Sequence, residues 1–262
     1  MGGIKKLICR AGQTHMNFVE IGKGATPAIV FAHGWDRDHR DFIPSAEALV
    51  AQRRSMLVDL PGFGETPKPA EAWDTRQYAD FAAQFIREKI GHPVVWVGHS
   101  FGGRVGLRLG VHHPDVLSGL VLVGCAGLKI ERPPLRRLKG RISGMRYRML
   151  RQRAKSEPEI IALEKRFGSP DYVHSRETGL REIFLKTVNE DQAPDLPRIT
   201  TPTVVLSGAN DTETPPAMGR RMAALIPDAR FVLLPEFDHI GVLFRGHHII
   251  ALRAKEMSEG AP

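Results

Sequence analysis

Residues 98–102, Gly-His-Ser-Phe-Gly, decide the fold of this chain because of the segments on either side. They follow the apolar run PVVWV (93–97) and precede the helical pattern GRVGLRL (103–109). A G-x-S-x-G sequence between a strand and a helix is typical of a nucleophile elbow. A serine hydroxyl is a weak nucleophile, so it must lie exposed at the sheet edge where a histidine can reach it. The stretch therefore predicts Ser100 as a nucleophile.

Outward from the elbow, strand-like apolar runs alternate with helical patterns. After an N-terminal hairpin of 4–10 and 15–21, strands are predicted at 28–32, 55–59, 94–97, 120–124, 203–207 and 230–233. Helices are predicted at 42–52, 75–90, 101–112 and 216–226. This alternation predicts βαβ units and a mostly parallel sheet.

Almost eighty residues separate the predicted strands 120–124 and 203–207, and a single crossover needs far fewer. The segment contains helical patterns over 135–150, 158–167 and 178–188. We therefore predict a helical subdomain inserted between these two strands of one α/β core domain.

The positive charge of the chain is concentrated in one segment. The formal net charge is +8, and residues 129–155 contain eleven Lys or Arg residues and a single acid, Glu131. One interpretation is a solvated helical face; two others are a surface for anionic lipid or for an acidic protein such as an acyl-carrier protein. Nucleic acid is not expected, because no aromatic interleaving or binding motif accompanies the arginines.

Cysteine content, hydropathy and the lack of cofactor motifs narrow the class of protein. The chain has two cysteines, Cys9 and Cys125, far apart in sequence, which favours a reducing, cytoplasmic setting. No run approaches the ~20 apolar residues of a membrane span, and residues 1–7 lack the apolar core of a secretory signal. Without a P-loop, a dinucleotide fingerprint or a zinc signature, we expect no cofactor and no metal.

A serine nucleophile needs a general base and an acid that orients it, in the chain order Ser, then Asp or Glu, then His. His239 follows the last predicted strand and is the predicted base. Asp211 follows the strand before it, at the strand end where α/β active sites form, and is the favoured acid. Asp238 and Glu213 remain alternatives, although Asp238 adjoins the base in sequence.

An oxyanion hole needs backbone N–H groups directed at the developing negative charge. Phe101, directly after the nucleophile, is predicted to supply one of them. Trp35, in the loop that follows the strand 28–32, is predicted to supply the other, with Gly34 permitting the tight turn. We also expect His33 and Gly34 to contact substrate.

With these motifs placed, the chain resembles the α/β-hydrolase superfamily, in its cofactor-free branch with a helical lid. The resemblance is carried by residues 33–34, the D-x-P-G-x-G turn at 59–64, residues 98–103 and 208–211, and His239. It implies an eight-stranded, mostly parallel sheet flanked by helices. It also implies a helical lid at residues 127–195, inserted into a core domain of residues 1–126 and 196–262. Ser100 distinguishes the chain from haloalkane dehalogenases and epoxide hydrolases, which have Asp there. Glu65, where the family usually has Ser, and Asp238, where it often has Gly, depart from the pattern.

The function expected from these residues is hydrolysis of a small-molecule carboxylic ester or thioester through an acyl-enzyme. An alternative with the same triad is a carbon–carbon bond hydrolase of aromatic-ring degradation. A further alternative is a non-catalytic ligand-binding or receptor protein that keeps the hydrolase scaffold.

Overall fold

The computed structural model describes residues 5–11, 14–23, 28–129 and 134–260. Within these ranges the strands are β1 Lys5–Ala11, β2 Thr14–Ile21, β3 Ile29–Ala32, β4 Ser55–Val58, β5 Val94–His99, β6 Leu117–Val123, β7 Thr203–Gly208 and β8 Ala229–Leu234. The helices are α1 Ile43–Glu47, α2 Thr75–Lys89, α3 Phe101–His112, α4 Pro134–Arg153, α5 Glu157–Phe167, α6 Pro170–Glu177, α7 Arg181–Asn189, α8 Pro216–Leu225, α9 Gly241–Phe244 and α10 His247–Ser258. Single 3₁₀ turns lie at His39–Phe42, Pro114–Val116 and Leu196–Arg198.

The eight described strands form one sheet in the order β1-β2-β4-β3-β5-β6-β7-β8. Strand β2 runs antiparallel to both β1 and β4, whereas every other neighbouring pair is parallel. This confirms the predicted mostly parallel sheet. The carboxyl ends of β3, β5, β7 and β8 therefore meet at one edge, where the loops that follow them form the candidate site.

The central strands are buried on both faces, as parallel strands covered by helices must be. Val95 and Val97 of β5 belong to a core that includes Ala251 and Ala254 of α10. On the other face, the indole of Trp96 lies against α3 and donates to the Gly102 carbonyl at 3.0 Å. Alternate side chains of one strand thus fix helices on both sides of the sheet.

Some predicted elements differ from the observed ones. The predicted helix 42–52 is a 3₁₀ turn followed by the short α1, after which the Leu49 and Val50 amides bond three residues back rather than four. The tighter turns end the helix and return the chain to β4. Helices α6, α9 and α10 were not predicted, because their apolar positions lack a clear 3.6-residue repeat.

The chain divides into two compact units, Met1–Leu128 with Glu190–Pro262, and Lys129–Asn189. The first unit contains the sheet, and the second contains α4 to α7. That residues 127–195 act as a lid stays a prediction. None of the helices in the described part of the chain is long and apolar enough to cross a membrane.

The helical unit contains a buried ionic cluster of its own. Glu164 of α5 is 2% exposed, and its carboxylate accepts hydrogen bonds from Arg176 of α6 and Arg181 of α7 at 3.0 Å each. The Arg181 guanidinium also lies 3.8 Å from the ring centroid of Tyr172. Because a buried carboxylate is costly unless paired, these contacts hold the three helices together.

Candidate active site

Ser100 occupies a strained turn between β5 and α3. Its φ of 47° and ψ of −101° lie in a region that residues other than glycine rarely adopt, at a cost of about 1–3 kcal/mol. The Ser100 amide donates to the Val123 carbonyl at 3.0 Å, and its own carbonyl accepts from Arg104 at 3.2 Å. The neighbouring strand and the first turn of α3 thus hold the turn in place, as the elbow sequence predicts.

The glycines around the serine let the elbow pack closely against β3. A Cβ placed on Gly102 would lie 2.2 Å from the Ala32 carbonyl oxygen, while the Gly102 amide donates to the His33 carbonyl at 3.0 Å. Any side chain at this position would push α3 away from the backbone of β3.

We expect Gly102→Ala to lower the free energy of unfolding by ~3 kcal/mol, because its Cβ would overlap a backbone atom that is fixed in the sheet. Gly140→Ala is the matched control, since Gly140 is also helical but a Cβ there would meet nothing within 4 Å. That variant should gain up to ~1 kcal/mol through helix propensity. Urea unfolding of both variants measures the difference, and equal effects would contradict the assignment.

His239 and Asp211 form the central pair of the site. The Asp211 Oδ2 accepts from His239 Nδ1 at 2.8 Å, and the two residues are 4% and 6% exposed respectively. Since a carboxylate only accepts, Nδ1 carries the proton and Nε2 holds the free lone pair. Asp211 therefore selects the imidazole tautomer that a general base needs.

The Asp211 carboxylate is saturated by hydrogen bonds. Its Oδ1 accepts from the amides of Glu213 and Thr214 at 2.9 and 2.8 Å, and its Oδ2 accepts from the Thr214 hydroxyl at 2.7 Å. Burial raises the pKa of Asp211, but the bonds to His239 and Thr214 outweigh it, so the pKa lies below its usual value. The aspartate is held ionised against the imidazole.

Neither Asp238 nor Glu213, the two alternative acids, contacts His239 Nδ1 as Asp211 does. Asp238 is exposed, and its Oδ1 accepts from the Gly241 amide at 2.5 Å, where it caps the turn before α9. The Glu213 carboxylate lies 3.6 Å from His239 Nε2, but its side chain is 63% exposed. Glu213 is thus beside Nε2, the nitrogen predicted to take the proton, on the wrong side of the ring to orient Nδ1.

His99, which precedes the nucleophile, joins the elbow to the loop that carries the base. Its Nε2 donates to the His239 carbonyl at 3.0 Å, and the two ring centroids are 4.6 Å apart. Its Nδ1 is buried without a hydrogen-bond partner among the described residues. Burial, followed by the charge of His239, lowers the pKa of His99 to about 3, so the ring is neutral.

We expect His99→Gln to reduce the loss of stability on acidification. The unfolded-state pKa is about 6.5 and the folded-state pKa about 3, so below pH 6.5 the unfolded chain takes up a proton that the folded chain does not. The stabilisation from the neutral ring is complete above pH 6.5 and is lost by up to ~1.4 kcal/mol per pH unit as the pH falls toward 3. Urea unfolding at several pH values should show the wild-type advantage over His99→Gln shrinking; parallel pH profiles would refute this.

The loop after β3 lies against the elbow. A Cβ on Gly34 would lie 2.7 Å from His99 Nδ1 and 3.5 Å from the Ser100 Cβ, so only glycine fits between them. The rings of Trp35 and Phe101 are 5.5 Å apart, edge to face. The two residues predicted to form the oxyanion hole therefore lie side by side, and the role of their amides stays a prediction.

His33 fixes this loop through the backbone. It is fully buried; its Nδ1 donates to the Gly34 carbonyl at 2.7 Å, and its Nε2 accepts from the Leu60 amide at 3.0 Å. Burial lowers the pKa of His33, which suits a neutral ring with one donor and one acceptor. Both ring nitrogens are engaged with backbone, and contact of His33 and Gly34 with substrate stays a prediction.

The D-x-P-G-x-G turn accommodates Glu65, the departure from the pattern noted above, because position 65 contributes its backbone to the turn. Asp59 is 1% exposed; its Oδ1 accepts from the His39 amide and ring at 2.8 and 2.9 Å, and its Oδ2 accepts from the Glu65 amide at 3.0 Å. Position 65 serves Asp59 through its backbone, which any residue but proline provides. Asp38, His39 and Asp59 have ligand-type atoms within 4.8 Å of one another, and these protein hydrogen bonds account for the grouping.

Sequence reasoning missed two contributors to the site. The Thr214 hydroxyl donates to the carboxylate of Asp211, and its oxygen lies 3.2 Å from His239 Nδ1. A threonine three residues after an aspartate in a loop is typical of side-chain-to-backbone bonding and was a usable signal. The bond of His99 to the base loop joins residues 140 positions apart, for which no local pattern exists.

Comparison with known proteins gives one family. A family described as the alpha/beta hydrolase family matches residues 29–258. A pimeloyl-[acyl-carrier protein] methyl ester esterase of Chromobacterium violaceum is 27% identical over 259 residues, covering 93% of this chain and 99% of that protein. A 2-hydroxy-6-oxo-6-(2'-aminophenyl)hexa-2,4-dienoic acid hydrolase of Metapseudomonas resinovorans is 24% identical over 242 residues, covering 87% and 82%.

Among solved structures, a bacterial membrane phospholipase A is similar in fold. It superimposes with a TM-score of 0.76 at 21% identity, covering 99% of this chain and 87% of that chain. The fold and the hydrolase class predicted from the elbow are confirmed: this chain belongs to the α/β-hydrolase family.

Proposed function

We propose that the protein hydrolyses a small-molecule carboxylic ester or thioester with Ser100, His239 and Asp211 as its triad. The observation that carries the proposal is the 2.8 Å bond between His239 Nδ1 and a fully bonded Asp211, at the sheet edge where the strained Ser100 turn lies. The methyl ester esterase among the relatives supports an ester as substrate.

The reaction would proceed in two steps. The Nε2 of His239 takes the proton from Ser100 as its oxygen attacks the substrate carbonyl, and the amides of Phe101 and Trp35 stabilise the oxyanion. When the intermediate collapses, His239 protonates the departing alcohol or thiol. A water molecule, deprotonated by His239, then attacks the acyl-enzyme and releases the acid with Ser100 restored. Asp211 holds the tautomer throughout.

A chain-length series of p-nitrophenyl and methyl esters tests the reaction class. A burst of one p-nitrophenolate released per Ser100, with the acyl group retained on the serine until water attacks, would support the acyl-enzyme route. The second candidate, carbon–carbon bond hydrolysis, is favoured by the dienoic acid hydrolase among the relatives. It predicts turnover of vinylogous diketones with weak esterase activity. Turnover of neither class would leave the scaffold as a ligand-binding protein.

The cytoplasmic setting and the absence of a cofactor stay proposals. Cys125 is buried and forms no disulfide, which suits the cytoplasmic setting predicted from the low cysteine count. No role for a cofactor or metal is part of the proposed reaction, because His239 carries out each proton transfer and the two amides stabilise the oxyanion.

A further inference from the structure

Helix α4 presents a stripe of large aliphatic side chains to solvent. Leu138, Ile142, Met145 and Met149 are 53%, 51%, 62% and 49% exposed. At 3.6 residues per turn their spacing places all four within an arc of about 60° on one face. Isolated exposed apolar residues are ordinary, but a continuous row of four marks a surface that binds something. We call this row the apolar stripe.

Cationic side chains border the apolar stripe along both edges. Helical geometry places Arg141 and Arg148 on one edge and Lys139, Arg146 and Arg153 on the other, and all five are exposed. The twenty residues of α4 include no Asp or Glu. Long basic side chains beside an apolar row can extend to the level of phosphate groups while their stems cover apolar surface.

The opposite face of α4 is the one that packs within its own unit. Tyr147, half a turn from the centre of the stripe, has its ring 5.9 Å from that of Phe167 in α5. Its hydroxyl lies 3.4 Å from the hydroxyl of Tyr172 in α6. The apolar stripe is therefore not the face with which α4 packs on α5 and α6.

We propose that the apolar stripe and its cationic edges bind the surface of an anionic lipid bilayer. An interfacial helix lies in the membrane plane with its apolar side chains among the upper acyl chains and its arginines at the anionic headgroups, and α4 has this division. A purely electrostatic partner would account for the arginines but not for four half-exposed aliphatic side chains between them. Such binding would bring the enzyme to an ester substrate held in lipid. That consequence rests on the proposed function, whereas the binding of α4 to the bilayer does not.

Vesicle sedimentation of the full chain tests the proposal. Vesicles of phosphatidylcholine with a quarter phosphatidylglycerol should bind at least tenfold more tightly than phosphatidylcholine alone, and raising the salt from 50 to 500 mM should weaken this binding. Ser100→Ala should bind the vesicles as the wild type does. Because Ser100→Ala lacks the proposed nucleophile, its binding to vesicles tests the lipid-surface proposal independently of the proposed function.

Substitutions in the stripe and along its edges identify the surface. Two double variants should each weaken binding on the order of tenfold. One combines Ile142→Ser with Met145→Ser in the stripe, and the other combines Arg141→Gln with Arg148→Gln along one edge. The controls are Leu252→Ser, whose side chain is 49% exposed on α10, and Arg230→Gln, exposed on β8; both should bind within twofold of the wild type. Circular dichroism checks that each variant is folded.

The proposal would be overturned by equal binding to neutral and anionic vesicles, by no binding to either, or by anionic binding that the stripe variants leave unchanged. Salt-sensitive binding to an acidic acyl-carrier protein, without binding to vesicles, would also overturn it and would assign the cationic edges to a protein partner.

Discussion

Ser100→Ala is expected to lower kcat for ester hydrolysis on the order of 10⁴-fold or more, with a much smaller change in KM. The substitution removes the atom that would form the proposed acyl-enzyme, whereas the backbone amides proposed to bind the oxyanion remain. Steady-state kinetics on a chromogenic ester measure the fall. In parallel, a fluorophosphonate probe should label the wild type and leave the variant unlabelled.

Ser55→Ala is the matched control for this experiment. Ser55 is a buried serine on β4 whose hydroxyl has no hydrogen-bond partner among the described residues, so its loss should change neither rate nor stability. A Ser100→Ala rate within tenfold of the wild type would defeat the assignment of the nucleophile. Failure of the wild type itself to take up the probe would favour a ligand-binding protein on the hydrolase scaffold.

Asp211→Asn is expected to lower kcat by about 10³- to 10⁴-fold. The carboxylate accepts from His239 Nδ1 at 2.8 Å, and an amide nitrogen there would favour the tautomer with its proton on Nε2, which has no lone pair for the serine proton. The shape of the side chain is conserved, so the fold should persist. kcat and the thermal midpoint measured on the same preparation separate the two effects.

Asp238→Asn and Glu213→Gln are the comparison variants for the orienting acid. Asp238 caps a turn through the Gly241 amide, and Glu213 is a mostly exposed carboxylate 3.6 Å from His239 Nε2, so neither variant should lower kcat by more than tenfold. A loss in Asp238→Asn as large as that in Asp211→Asn would reassign the acid.

The elbow was predictable because consecutive residues form it. A buried strand, a turn flanked by small residues and a helix are each set by interactions over a few positions, and the Ser100 turn lies where the pattern indicated. The short α1 was not predictable in the same way. Its apolar residues have helical spacing, yet the amides of Leu49, Val50 and Gln52 bond three residues back as the chain returns to β4.

The sequence predicted the charge of α4 but not which of its faces is exposed. The charge count located the basic segment at 129–155, and the helical spacing of its apolar residues was evident. Which of its faces packs on other helices depends on partners such as Phe167 and Tyr172, distant along the chain. Exposure of the apolar stripe is therefore a result of the packed helices.

The amino-acid sequence determined the positions of most strands along the chain, the turn that carries Ser100, and the identity of Asp211 and His239 as candidates. Periodicity and turn chemistry act over a few residues and can therefore be identified locally. The tertiary structure decided which groups meet: Asp211 and His239 are 28 positions apart, and His99 and His239 are 140 apart. Parallel pairing of the strands brings their carboxyl ends to one edge, and only there do the bond between Asp211 and His239 and the bond from His99 arise. Contacts of this range depend on the whole packed sheet, so no local pattern encodes them.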